Sequence, residues 1–157
     1  RLPAGPLRER LENLKKYDAI FILGENINNK FLKKIKKIKP DIPIFNGEYI
    51  STNFQKFKKK NFLVFSGIGN PDSFIKTLEK YDIKYRSNHI YPDHYRYTEI
   101  DIKKIKRLAK IKNLKILTTE KDYNRLPKKF RNNINYLKVN LKIQKIKEFN
   151  KFIIKYL

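Results

Sequence analysis

The chain of 157 residues contains no cysteine, no methionine and no tryptophan, and only two histidines and five glycines. Without cysteine there is no disulfide framework and no thiolate metal site, so stability must come from packing, and redox chemistry through sulfur is closed. No apolar run approaches the roughly 20 residues that a helix needs to cross a bilayer. Arg1-Leu2-Pro3-Ala4-Gly5 has no hydrophobic stretch of the kind a signal peptide carries. These absences lead to the expectation of a soluble, cytosolic protein. The missing initiator methionine reads Arg1 as something other than the natural start of a complete gene product. Acidic residues are scarce as well, 15 against 38 lysines and arginines, for a net charge of +23. Such a surface attracts phosphate groups on nucleic acid, nucleotides or anionic lipid. Lysine spread along the whole chain with much isoleucine and asparagine is equally what an AT-rich coding sequence produces with no binding role. Charge alone therefore chooses no partner.

At 40% hydrophobic, residues 1–157 suffice for a single domain with a real core. Tyr17 to Gly24 reads as a buried strand closed by glycine, followed by an amphipathic helix over Lys30 to Lys39 that Pro40 and Asp41 stop. Ile42 to Phe45 reads as a short strand near a sheet edge, because Pro43 cannot donate a ladder hydrogen bond. Asn61 to Ser66 is a buried strand, and Gly67 to Pro71 turns the chain into a helix that Asn70 caps and Pro71 starts. Tyr81 to His89 leads into an irregular segment around Pro92. Thr98 with Asp101 then opens a helix, Leu114 to Thr119 and Asn135 to Leu141 read as strands, and Ile143 to Leu157 as a closing helix. The cluster from Lys56 to Lys60 reads as a solvated connection. Strands alternating with helices predict an α/β fold on a mainly parallel sheet with flanking helices.

Three blocks carry more than pattern. Gly67-Ile68-Gly69-Asn70-Pro71 lies where exposed amides and a helix dipole can hold an anion, making Gly67, Gly69 and Asn70 candidate contacts; glycines that merely permit a tight turn are the simpler account of the block. The block lacks a full dinucleotide fingerprint and any Gly-Lys-Ser/Thr. His89 to Tyr97 gathers both histidines with three tyrosines, an aspartate and an arginine. A histidine there can take or relay a proton near neutral pH, or the loop can be polar and held by its own hydrogen bonds. Its spacing matches no conventional zinc site. In Thr118-Thr119-Glu120-Lys121-Asp122, Lys121 could meet a phosphate, although helix capping accounts for the acids.

Taken in order, four segments resemble the tetraacyldisaccharide 4'-kinase family of lipid A biosynthesis: Leu2-Pro3-Ala4-Gly5-Pro6-Leu7-Arg8-Glu9, Phe65-Ser66-Gly67-Ile68-Gly69-Asn70-Pro71, Tyr91-Pro92-Asp93-His94-Tyr95-Arg96-Tyr97-Thr98 and Leu117-Thr118-Thr119-Glu120-Lys121-Asp122. The resemblance spans essentially the whole chain, resting on pattern more than identities at 26–60 and beyond 126. It implies a kinase moving the ATP γ-phosphate, with Mg²⁺, to the 4' hydroxyl of a tetraacyldisaccharide 1-phosphate at the inner face of the inner membrane. His94 matches the histidine that assists deprotonation of the sugar hydroxyl, and Asp93 is the natural residue to orient it. Arg8 and Glu9 match a pair near the nucleotide phosphates and the metal. The family's Walker loop and Asp-Asp-Gly metal motif would lie before Arg1, so the resemblance implies a C-terminal half, P-loop-kinase-like without the P-loop and not competent alone. Its ATP, Mg²⁺ and activity would then depend on an N-terminal half supplied separately. A noncatalytic basic module for nucleic acid or anionic membrane is the competing class. No RRM, KH or helix-turn-helix signature accompanies the lysines, so no specific nucleic acid is expected.

Overall fold

A computed structural model of the chain describes residues 9–24 and 28–157. In chain order the elements are β1 (Ile20–Leu23), α1 (Asn29–Ile38), β2 (Ile44–Ser51), β3 (Asn61–Ser66), α2 (Pro71–Lys80), β4 (Lys84–Ile90), α3 (Glu99–Ile111), β5 (Lys115–Thr119), α4 (Glu120–Arg125), β6 (Ile134–Leu137), β7 (Val139–Ile143) and α5 (Ile146–Ile154). Contacts divide the chain into two compact units, one of residues up to Tyr49 with Leu141–Leu157, the other Ile50–Asn140.

In the first unit β1 pairs in parallel with β2, from Ile20 against Ile44 to Leu23 against Gly47. The strand order β1-β2-β7 puts β2 at the centre, not at the edge expected from Pro43. The correction has a simple cause. Pro43 precedes the first ladder residue, so its missing N–H removes no bond, and its carbonyl accepts from Ile20 N at 2.9 Å. Gly47 is needed where it stands, because a Cβ there would meet the Phe21 ring at 2.6 Å. Around it Phe21 and Phe45 meet Phe149 edge to face.

The second unit is a four-stranded sheet in the order β4-β3-β5-β6 with every pair parallel. Alternation of side chains along β3 divides its apolar residues between two faces. Leu63 and Phe65 pack with Ile102, Ile105 and Ala109 of α3, whereas Phe62 and Val64 pack with Phe74 and Leu78 of α2. Helices thus cover both faces, as a parallel sheet requires. Each of these buried side chains other than Ala109 contributes about 1.5–3 kcal/mol of transfer free energy.

Two expectations change here. The segment read as leading into irregular structure contains β4, an edge strand whose burial alternates residue by residue. Its inward positions Ser87 and His89 are polar, which hid the period. The single strand expected over 135–141 is two, broken at Lys138, whose amide donates to Asn53 Oδ1 at 2.9 Å and whose carbonyl accepts from Thr52 N at 3.0 Å.

Candidate functional site

From β3 the chain moves outward through α2 to β4, then returns through α3 to β5 on the other side of β3. The strand order therefore reverses between β3 and β5, and an open α/β sheet forms its crevice at the carboxyl ends of such a pair. Ser66-Gly67 and Thr118-Thr119 lie at those ends.

Three of the sequence blocks meet around Gly67. Its amide donates to Asp122 Oδ2 at 3.1 Å, and its carbonyl accepts from Arg125 Nη1 at 2.8 Å and from the His94 amide at 3.2 Å. Gly67 has no room for a side chain, since a Cβ would meet Tyr97 Oη at 2.9 Å and the Pro92 carbonyl at 3.2 Å. The turn after β3, the loop after β4 and the start of α4 thus share one rim.

Asp122 is the buried anchor, its side chain 0% exposed. Its carboxylate accepts from Gly67 N and from Thr119 Oγ1 at 2.7 Å, while its own amide donates to Thr119 Oγ1 at 3.0 Å. Arg125, one turn further along α4, faces the same carboxylate at 3.4 Å and donates through Nη2 to His94 Nδ1 at 3.1 Å. A buried carboxylate is tolerable only when so paired and bonded. Nearby the rings of Tyr91, Tyr95 and Tyr97 pack on one another, and Tyr91 and Tyr97 also meet Phe65 edge to face. Burial, and then the Asp122 charge, push the Tyr97 hydroxyl far above the ordinary phenol range, so it remains protonated. That hydroxyl is buried with no hydrogen-bond partner.

His94 adopts the left-handed region, φ 59°. Strain of this kind persists only where surroundings over-determine it. Its amide is held by the Gly67 carbonyl and by Asp93 Oδ1 at 2.9 Å. The imidazole is 72% exposed, reachable by a ligand, with Nε2 3.8 Å from Asp93 Oδ2. Asp93 therefore shapes the backbone of the loop by a hydrogen bond and faces the ring only as a charge. Its other oxygen would lie 2.9 Å from a Cβ at Gly69. The protein's own carboxylate thus overhangs the turn proposed for an anion, and the Gly67 amide is already engaged. Asn70 accepts from Ser73 N at 3.2 Å, capping α2. Both observations favour the tight-turn reading of this block.

The other candidates lie apart from this cluster or outside the described residues. Lys121 is exposed in the first turn of α4, where Thr119 and Asp122 provide the cap. Arg8 lies outside the described residues; the Glu9 carboxylate accepts from Asn13 Nδ2 at 3.2 Å and Tyr17 Oη at 2.9 Å. His89 belongs to β4 rather than to the loop, with Nε2 3.1 Å from Ser87 Oγ. Burial, then Lys104 and Lys112, lower its pKa, so it is neutral at pH 7. Arg125 and the buried role of Asp122 were not singled out by sequence reading. An acid three residues into a helix is what a cap needs, and only the spacing Asp122-x-x-Arg125 hints at more.

A model of the tetraacyldisaccharide-1-P 4'-kinase family matches residues 1–157. The tetraacyldisaccharide 4'-kinase of Pelagibacter ubique strain HTCC1062 is 44% identical over 156 residues, covering 98% of this chain and 50% of that protein. Its counterpart in Rickettsia typhi strain Wilmington is 37% identical over 126 residues, with 78% and 37% covered, and that of Rickettsia felis is 35% identical over 158, with 98% and 46% covered. The chain spans half or less of the length of these curated relatives. No solved structure matches it. A match running from the first residue to the last, over the blocks that converge on Gly67, means that this chain belongs to the tetraacyldisaccharide-1-P 4'-kinase family.

Proposed function

We propose that the chain is the acceptor-side, C-terminal part of a kinase that transfers the ATP γ-phosphate to the 4' hydroxyl of a tetraacyldisaccharide 1-phosphate. The observation that supports it most is the exposed imidazole of His94, held at the switch point of a parallel sheet by Gly67, Asp93 and Arg125. In this role His94 takes the proton of the sugar hydroxyl, with its Nε2 3.8 Å from Asp93 Oδ2.

The reading does not rest ATP or Mg²⁺ on the described residues. Among the described residues no group of three or more His, Asp or Glu could hold a metal ion, and the chain has no Gly-x-x-x-x-Gly-Lys-Ser/Thr. Phosphoryl transfer relies on such groups, so the reading assigns both to an N-terminal half, with Arg8 and Glu9 in their vicinity. Among the described residues no helix is long and apolar enough to cross a membrane. Contact with an anionic membrane surface is supported by α5 and the residues after it, where exposed Ile146, Ile154 and Leu157 alternate with Lys147, Lys151 and Lys155.

The test is phosphoryl transfer to tetraacyldisaccharide 1-phosphate by the purified chain, alone and with the N-terminal half of a relative. Activity only in the mixture is expected. Turnover by the chain alone, surviving removal of contaminating kinases, defeats the division of labour, and inactivity of a folded, associated mixture defeats the kinase reading.

One feature favours a second reading, an anion-binding module. A cleft of about 1,050 Å³ at the amino ends of β3, β5 and β6 is lined by Lys56, Lys60, Lys106, Lys110 and Lys115 and by no acid. Base preference in RNA binding at physiological salt would favour that reading, whereas affinity that only falls steeply with salt reports charge alone.

A further inference from the structure

We infer that Arg125 is a positioning residue that dictates which nitrogen of His94 carries the proton. Guanidinium is always protonated and can only donate. Its Nη2 lies 3.1 Å from His94 Nδ1, so Nδ1 must supply a lone pair, and the neutral ring carries its proton on Nε2, the nitrogen facing Asp93. The tautomer of a histidine follows from the bond its other nitrogen makes.

Arg125 is itself held in place. Its Nη1 donates to the Gly67 carbonyl and faces the fully buried Asp122 carboxylate, and its side chain is 21% exposed against 72% for the imidazole. Asp122 in turn is bonded by Gly67 N and Thr119 Oγ1. The order of control runs from the buried acid through the guanidinium to the exposed ring, and neither Asp122 nor Arg125 needs to touch a substrate.

The catalytic consequence rests on the kinase reading. With Nε2 protonated, Nδ1 is the sole basic atom of the ring and already has a donor. A sugar hydroxyl must displace Arg125 from Nδ1 before its proton can move. The O–H bond then breaks, an Nδ1–H bond forms, and the ring becomes an imidazolium with Nε2–H beside Asp93. The oxygen left with the electron pair is the nucleophile. Arg125 therefore keeps the ring in one state and competes with the acceptor for the same lone pair.

Long-range ¹H–¹⁵N NMR on the 157-residue chain labelled with [¹⁵N]histidine tests the tautomer without any activity. At a pH of about 8, where an ordinary imidazole is neutral, the His94 signals of the unaltered chain should show Nε2 protonated and Nδ1 bare. A charge-assisted hydrogen bond biases the tautomer ratio by about tenfold, so Arg125→Met should lower that ratio by about as much. His89, assigned through His89→Gln, should keep its signals and reports that the sheet is intact. A protonated Nδ1 in the unaltered chain overturns the inference. An unchanged ratio in a folded Arg125→Met chain overturns it too. The kinase reading fails separately, by inactivity of the reconstituted mixture, so the two outcomes are distinguishable.

Discussion

The two ends of the parallel sheet differ in kind. The amino end holds the large cleft, lined by five lysines. The carboxyl end is occupied by directional polar groups, Asp122, Arg125, His94 and the Gly67 peptide, each oriented by at least one named partner. Volume and charge characterise the first, order the second. A site that must move one proton needs atoms held in place, and lysines on flexible stems do not supply that. The end whose polar groups are held by directional hydrogen bonds is therefore the better candidate for chemistry.

The largest expected effect tests that contrast at its centre. With an N-terminal half supplied, His94→Ala should lower kcat by about 10²- to 10⁴-fold with little change in KM for ATP, the range that general-base assistance contributes. His89→Ala, on β4, should leave kcat within a few-fold; equal losses in both, with equal losses of thermal stability, would make His94 structural.

Asp122→Ala comes next. It strands Arg125 and the Gly67 amide, and breaking a buried pair in this way costs about 3–5 kcal/mol, measured as a lower denaturant midpoint. A smaller loss would mean that water replaces the carboxylate and that the carboxyl end is less ordered than its bonds indicate. Gly67→Ala should destabilise by about 1–3 kcal/mol, because the new methyl meets Tyr97 Oη and the Pro92 carbonyl, and the carbonyl cannot give way as a flexible chain end can.

Thr98→Ala should cost about 1 kcal/mol at pH 7, since Thr98 and Asp101 form a reciprocal cap at the start of α3. The Thr98 hydroxyl is the main cause that holds the Asp101 carboxyl below its ordinary range. A depressed carboxylate pKa gives stability that is present above the unfolded value and lost as pH falls through the folded one, so the gap between Thr98→Ala and the unaltered chain should narrow in acid. At the amino end, Lys110→Ala and Lys115→Ala should each stay within about 0.5 kcal/mol, as exposed substitutions do. A larger effect on stability would give the cleft a structural order that its composition does not suggest.

Much of this was legible in the amino-acid sequence. Asn61 to Ser66 is a strand from first residue to last because the five consecutive residues Phe62 to Ser66 are buried on two faces at once. The α2 and α3 caps follow from Asn70, with Pro71 at the first helical position, and from Thr98 with Asp101; the Asn70, Thr98 and Asp101 side chains satisfy amides no more than three residues away. The convergence of three blocks at one rim followed from their common position after strands, and the family from four short identities in order. What depends on neighbours distant in the chain was not legible. The central place of β2 is set by pairing with β1 and β7. β4 is recognisable only once Ser87 and His89 are seen facing inward.

The sequence by itself determined most of the local elements, the caps of α2 and α3 and the family, because those rest on periods and contacts spanning a few residues. Tertiary structure alone decided that Asp122, spelled as a helix cap, is also a buried anchor for a glycine 55 residues earlier, and that Arg125 reaches a histidine 31 residues away. The physical reason is burial. A carboxylate excluded from water must find every partner within reach, and which partners those are is settled by the strand order that brings the ends of β3 and β5 together.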